Sequence, residues 1–286
     1  MLITKVGDES MTSCNSCPTA EKCTKDKESC MIENNPLNNV KQIIGVMSGK
    51  GGVGKSSICS LIAKTLKKQG YKVGVLDADI TGPSIPRLLG VKDKRATYVE
   101  QGILPVQNKE GIKIMSLNLI TDNEDDPVIW RGPMLSNLVK QFWTDVIWED
   151  LDYLLIDMPP GTGDVALTVM QSIPINGVVM ISVPQDLVSM IVSKAVKMTK
   201  KMNVRLLGVV ENMSYITCDD CGKKIKLFDG ESTNKFLQEN NLKLFGELPM
   251  LSSISKLSQD SGEKEDIDQV FNPIVKKIID ELNLNN

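Results

Sequence analysis

Residues 49–56 read Gly49-Lys50-Gly51-Gly52-Val53-Gly54-Lys55-Ser56. The spacing G-x-x-x-x-G-K-S suits one chemistry above others: holding the phosphates of a nucleotide. Glycines let main-chain N–H groups curl around phosphate oxygens, and a helix starting at the lysine adds the positive potential of its N-terminus. The loop from Gly49 to Ser57 is therefore the expected cradle. Lys55 is placed to reach the β- and γ-phosphates and the Ser56 hydroxyl to ligate Mg²⁺. Its context agrees. The apolar run 41–47 reads as a buried strand, and Ile58, Leu61, Ile62, Thr65 and Leu66 recur at helical spacing after the loop.

Two carboxylate motifs follow further apolar runs. One is Val75-Leu76-Asp77-Ala78-Asp79-Ile80-Thr81-Gly82-Pro83-Ser84. The other is Leu155-Ile156-Asp157-Met158-Pro159-Pro160-Gly161-Thr162-Gly163-Asp164. An aspartate that closes an apolar strand is the arrangement that holds Mg²⁺ beside a phosphate loop, so Asp157 is expected to do so through a water. The glycines after it can swing and sense a γ-phosphate.

Cysteine is the second chemical resource, with seven residues. Cys218-Asp219-Asp220-Cys221 is a C-x₂-C pair, which supplies two thiolates where Zn²⁺ or a [4Fe–4S] cluster usually takes four. A two-fold dimer would complete the set with two cysteines from each chain; a structural zinc site or two free thiols are the alternatives. Near the N-terminus, Cys14-x₂-Cys17-x₅-Cys23-x₆-Cys30 offers four thiols within one chain, enough for an iron–sulfur cluster or a zinc knot. Cys59, on the helix after the phosphate loop, reads as a small buried residue.

These residues need a scaffold. Residues 1–39 are polar, rich in cysteine and without sustained apolar period, and Asn34–Asn39 reads as a linker, so a boundary is expected near residue 39. Residues 40–286 then alternate in the βαβ manner. That pattern implies an α/β, three-layer fold with a mostly parallel sheet and helices on both faces. Strands are expected at 41–47, 72–77, 111–117, 152–157, 177–183, 205–211 and 244–249. Helices are expected at 133–148, at 187–202 and over a C-terminal tail (268–284) docked on the domain. Every motif falls at the C-terminal end of a strand, where open α/β sheets bind ligands. A net charge of −3 argues against nucleic acid as the main partner. The cluster Lys194, Lys197, Lys200, Lys201 and Arg205 reads as a solvated helix face. With neither a basic-then-apolar leader nor an apolar run long enough to span a bilayer, the expectation is a cytoplasmic chain, with no membrane partner and with cysteines serving metal or redox chemistry.

The Gly-Lys-Gly-Gly-Val-Gly-Lys-Ser string resembles the deviant phosphate loop of the MinD, ParA and nitrogenase-iron-protein ATPases. In that class the extra lysine, here Lys50, contacts nucleotide across a face-to-face homodimer. The resemblance assigns Asp79, in switch I, to orienting or activating the attacking water, and Asp77 to supporting the magnesium shell. Adenine contacts fall at Val183-Pro184-Gln185-Asp186 and Val210-Glu211-Asn212-Met213, with Asn212 the best candidate. The C-x₂-C pair just after Glu211-Asn212-Met213-Ser214-Tyr215 narrows this further. Over about residues 40–265 the chain resembles the Mrp/ApbC group of iron–sulfur cluster carrier ATPases. That resemblance implies ATP and Mg²⁺ binding, ATP hydrolysis, and a cluster held by Cys218 and Cys221 in a homodimer and passed to apo-proteins with cluster-assembly factors. The C-x₂-C-x₅-C segment is similar to the ferredoxin-like N-terminus of related eukaryotic scaffolds, although their fourth cysteine lies upstream and Cys30 lies downstream. Rival readings are a zinc-stabilised ATPase adaptor, a nitrogenase-iron-protein-like redox ATPase and a MinD/ParA-type positioning ATPase.

Overall fold

The computed structural model describes residues 31–121, 132–184, 190–218, 220–226, 231–250 and 264–284. Cys14, Cys17, Cys23 and Cys30, together with Gln185 and Asp186, lie outside them. Strand β1 (Asn39–Ser48) is followed at once by helix α1 (Lys55–Lys68) and β2 (Val73–Asp77). A short helix α2 (Ile85–Leu88) leads into a hairpin of β3 (Thr97–Val99) and β4 (Gly102–Leu104), then β5 (Val106–Gln107) and β6 (Lys113–Met115). Helix α3 (Gly132–Thr144) precedes β7 (Asp150–Asp157), α4 (Asp164–Ser172) and β8 (Gly177–Ser182). The chain continues through α5 (Met190–Lys201), β9 (Leu206–Thr217), β10 (Lys224–Lys226), α6 (Glu231–Glu239), β11 (Leu244–Pro249) and α7 (Lys264–Asn283).

Nine of these strands form one sheet in the order β10-β9-β8-β1-β7-β2-β6-β5, with β11 also pairing β9. The pairings from β6 to β9 and on to β11 are parallel; only β5 and β10 run antiparallel. β1 lies between β7 and β8, so the chain leaves it towards β2 on one side and later crosses it to reach β8. That reversal opens a crevice above the C-terminal end of β1. The β1, β2 and β7 sequences are nearly continuous apolar runs because both faces are covered. On one face, α1 and α7 enclose Ile44, Ile62, Val75, Phe271 and Ile278; on the other, α3, α4 and α5 enclose Met47, Leu76, Phe142, Met170 and Val196.

Three expectations shift in detail. The helix expected to reach 148 stops at Thr144, because Val146 bridges Ile103, whose N–H donates to the Asp145 carbonyl. Ile147 and Trp148 are still buried, so the apolar pattern marked burial correctly but continued past the helix. Strand β9 runs six residues beyond its expected end at 211, to Thr217. Asn34–Asn39, read as a linker, is pinned through its side chains: Asn35 Nδ2 donates to the Gln101 carbonyl and Asn38 Nδ2 to that of Val146. The preceding stretch is tied as well, since the Trp143 indole donates to the Ile32 carbonyl and Ile32 N–H to the Ser172 carbonyl.

Candidate functional site

The phosphate loop occupies the central crevice. Its helix opens with Gly54 in the left-handed region (φ 83°), and no side chain caps it. Its first turn carries no acidic residue. Gly52 is also left-handed (φ 80°), and a Cβ on Gly51 or Gly52 would meet nothing within 4 Å. An uncapped helix start beneath open glycines is what an approaching phosphate needs. Lys50 is exposed at the rim, whereas Lys55 is buried.

Register brings the carboxylates to Lys55. Asp77 and Asp157 are directly opposed at the ends of β2 and β7, and Asp157 also faces Val46 of β1. Lys55 Nζ donates to Asp157 Oδ1 at 2.7 Å and lies 3.6 Å from Asp79 Oδ2. The Ser56 hydroxyl donates to Asp157 Oδ2 at 2.5 Å. Asp77 is turned to the chain itself: it accepts from Asp79 N–H, Ile85 N–H and the Ser116 hydroxyl, each at 3.2 Å. It thus organises the loop that carries Asp79. Burial pushes the Asp77 carboxyl well above the usual carboxylate range, with the Asp157 charge adding to it. Burial also raises Asp157, against the pull of Lys55 and Ser56. For Lys55, burial works to lower the pKa, but the carboxylates around it prevail and raise it.

The 157–163 loop crosses beneath the phosphate loop. Gly161 (φ 81°) donates its N–H to the Ser48 carbonyl at 2.8 Å, and a Cβ there would lie 3.7 Å from the Gly49 carbonyl. Asn212, fully buried, donates from Nδ2 to the Val53 carbonyl at 2.9 Å, while its Oδ1 is buried without a partner. Ser48, Ser116 and the Val53 carbonyl were not singled out from the sequence. Ser116 follows a short apolar strand as Asp77 does, but nothing in its spacing distinguishes it.

These observations fit a nucleotide with Mg²⁺. The open glycines and uncapped helix match a phosphate chain, and the orphan Asn212 oxygen is an acceptor suited to an exocyclic amine. Among the described residues, no group of three or more His, Cys, Asp or Glu side chains could hold a metal by itself. That is the situation of Mg²⁺ sites that draw most ligands from phosphate and water.

Cys218 and Cys221 sit at the turn of the β9–β10 hairpin, at the edge of the sheet. Cys218 N–H donates to the Lys223 carbonyl and Gly222 N–H returns to that of Cys218, with Gly222 left-handed (φ 68°). The Tyr215 ring lies beneath Lys224, whose Nζ is 4.4 Å from its centroid. Cys218 is half-buried, Cys221 is exposed and neither forms a disulfide. Cys59 is fully buried, and burial raises its thiol well above the ordinary value, as its reading as packing implied.

Against known proteins, residues 39–283 match the family of NUBPL iron-transfer P-loop NTPases within the ParA group, and the chain belongs to that family. It is 47% identical over 286 residues to the iron–sulfur cluster carrier protein of Clostridium perfringens, covering 95% of this chain and all of that one. Among solved structures it is similar to a nucleotide-binding protein from Archaeoglobus fulgidus in complex with ADP and with Co found in it. The TM-score is 0.68 and the identity 40%, over 77% of this chain and 86% of that one. The cell-division ATPase MinD of Pyrococcus furiosus shares the fold at TM-score 0.60 and 19% identity, over 84% and 98%. Among the described residues no helix is long and apolar enough to cross a membrane.

Proposed function

We propose that this chain is a cytoplasmic ATPase that holds a [4Fe–4S]-type cluster between the Cys218 and Cys221 pairs of a homodimer and delivers it to apo-proteins. The observation that carries this reading is the hairpin. It presents two cysteines outside any disulfide together at the edge of the sheet, and among the described residues no group of three or more possible metal ligands includes them. Half a ligand set on an accessible turn suits a cargo that must be shared and released. Relatives named as iron–sulfur cluster carriers and an ADP complex of a 40%-identical structure support it.

When bound, Mg·ATP supplies the transferable γ-phosphoryl group together with the cation that offsets its charge. Lys55 exchanges Asp157 for the β- and γ-oxygens. Ser56 and Asp157, which now bond each other, would hold the magnesium shell. Asp79 orients the attacking water, held in place by the loop that Asp77 ties down. Gly161 would report the γ-phosphate by moving its N–H from the Ser48 carbonyl, and Lys50 would reach from the rim to the partner's nucleotide. The products are ADP and phosphate; the cluster is cargo and undergoes no bond change in that step. Cys14, Cys17, Cys23 and Cys30 form a separate metal site on each chain.

The test is anaerobic purification and reconstitution of the full chain and of its Cys218→Ala/Cys221→Ala variant, with absorption spectra and iron, sulfide and zinc assays. Brown wild-type protein, with a fraction of its labile sulfide lost in the variant, is expected. Colourless protein containing zinc would overturn the carrier in favour of a zinc-stabilised adaptor.

A further inference from the structure

The site as described leaves unexplained why strand β9 continues past its pairing with β8, with a break in the middle. It pairs β8 only as far as Glu211, opposite Ser182. Against β11 its register then slips: Glu247 faces Glu211 and Pro249 faces Tyr215, so four steps on β9 oppose two on β11. Asn212, Met213 and Ser214 form the bulge. Met213 is held in the left-handed region (φ 56°), unusual for a residue with a side chain. The Ser214 hydroxyl closes the bulge, 2.6 Å from Glu211 Oε2 and 3.0 Å from the Glu211 carbonyl. Beyond it, Tyr215–Thr217 pair with Lys224–Lys226 and lead directly into Cys218.

A bulge beside an active site re-aims a side chain. Here the side chain is Asn212, turned in under the phosphate loop to hold the Val53 carbonyl. The fit is close: a Cβ on the neighbouring Gly54 would lie 2.5 Å from Asn212 Nδ2. Asn212 therefore has one bond to the loop and one unmet buried acceptor. Any rearrangement of the loop that breaks the first or satisfies the second must re-seat the amide, because a buried polar group left unpaired is costly. Six residues further on, along the same extended segment, stands Cys218.

We propose that Asn212 is a positioning residue that conveys the state of the phosphate loop to the Cys218/Cys221 hairpin, with the Met213 bulge as its joint. The proposal rests on the functional reading above and adds a route within one chain, separate from any rotation between copies. Its consequence is that nucleotide changes the exposure of the two thiols even before a cluster is bound.

The experiment uses the full chain, metal-free and reduced, with iodoacetamide as probe and peptide-resolved mass spectrometry as readout. Alkylation rates of Cys218 and Cys221 are measured with and without a saturating non-hydrolysable ATP analogue and Mg²⁺. Nucleotide affinity, and mass by light scattering, are followed in the same samples. In wild type, nucleotide is expected to change the Cys221 rate about fivefold or more, the lower end of ordinary inter-site coupling. Asn212→Ala binds nucleotide more weakly, and at saturation its Cys221 rate no longer responds. Met213→Gly, which frees the joint without touching the loop, reduces the response as well, and it keeps the test decisive if Asn212→Ala folds poorly. The inference is overturned if wild type binds nucleotide with unchanged thiol rates, if both variants retain the full response, or if rates change only when the mass doubles. Absent nucleotide binding, or absent hairpin iron and sulfide on reconstitution, would instead sink the functional reading itself.

Discussion

The phosphate loop, touched by Asn212, and the cysteine hairpin, whose Cys218 follows Asn212 by six residues, are built on opposite principles. The loop is rooted at the centre of the sheet, where Lys55, Asp77 and Asp157 are all buried and every ionised group depends on another. The hairpin hangs on the sheet edge, held by a three-residue ladder, its two turn hydrogen bonds, the Lys224–Tyr215 contact and a half-exposed Lys226–Glu247 pair, with Cys221 in solvent. A site that must discriminate phosphate states can use desolvated charge, which acts strongly and responds sharply. A site that must give up its cargo gains from exposure and from owning only half the ligands. In this molecule function and stability are tightly linked at the first site and almost separate at the second.

Substitution at Lys55 should show that difference at its largest. Lys55→Ala removes the cation that the buried carboxylates share, and breaking a buried pair costs about 3–5 kcal/mol. Denaturant unfolding without nucleotide should show that loss, and nucleotide binding should fall together with it. The pH dependence has a definite sign. Asp77 and Asp157 have folded pKa values raised above their unfolded ones. They bind protons more readily when folded, so stability falls as pH rises through those folded values. The deficit of Lys55→Ala should therefore be greatest near neutral pH and shrink towards acid. A variant as stable as wild type at neutral pH would break the contrast. Next in size is Gly54→Ala. A left-handed residue with a side chain costs about 1–3 kcal/mol, and the new Cβ would drive into Asn212. Calorimetry should find a lower Tm along with weakened nucleotide binding. On the other side of the comparison, Cys218→Ala/Cys221→Ala in the metal-free protein should stay within about 0.5 kcal/mol of wild type, as exposed substitutions do. A large loss of stability there would mean that the hairpin is part of the fold and not an appendage.

The same contrast governs how much could be read from sequence. The loop was legible down to single residues because its demands are local: glycines for curvature, a lysine and serine at fixed offsets, a strand before and a helix after. The two aspartates were legible because each ends an apolar run, and the parallel register then brings them together. The α/β layering followed from the alternation of runs, down to the tail helix over the domain. What escaped has a common cause. The β3–β4 hairpin, β5 and β10 are strands of two or three residues, too short for a period to show. Helices α4 and α6, nine residues each, likewise passed without mention. The extension of β9 was invisible because its bulge breaks alternation at Asn212–Ser214, where the strand turns an amide inward. Asn212 could be chosen as a site residue, but its bond to Val53 joins positions 159 apart, and no local pattern encodes that.

At its root, β9 is clamped where its far end is loose, and this gives the smallest of the expected effects. Glu281 on α7 takes both Arg205, just before the strand, and Lys243, just before β11. Lys243 Nζ lies 2.6 Å from Glu281 Oε2, and Arg205 Nη1 donates to the Glu281 carbonyl at 2.7 Å as well as pairing with the carboxylate. Burial works to raise the Glu281 pKa, but the hydrogen bonds and charges of Lys243 and Arg205 outweigh it and hold the carboxyl below the usual glutamate value. A carboxylate whose pKa is depressed on folding adds stability above its unfolded pKa, about 4.3. That contribution is lost as pH falls through the lower folded value. Glu281→Gln should therefore cost stability at neutral pH, by about 1 kcal/mol or less because Lys243 is largely solvated and screening discounts the pair. The gap between wild type and variant should close as both are titrated below the folded pKa, and salt should narrow it at neutral pH. The clamp lies at the far end of the strand from the phosphate loop, so nucleotide should leave the gap unchanged. A gap that persists in acid would show that Glu281 acts by packing rather than charge. One that shifts with nucleotide would show that the root of β9 moves with its tip, and the comparison between a fixed root and a responsive end would fail.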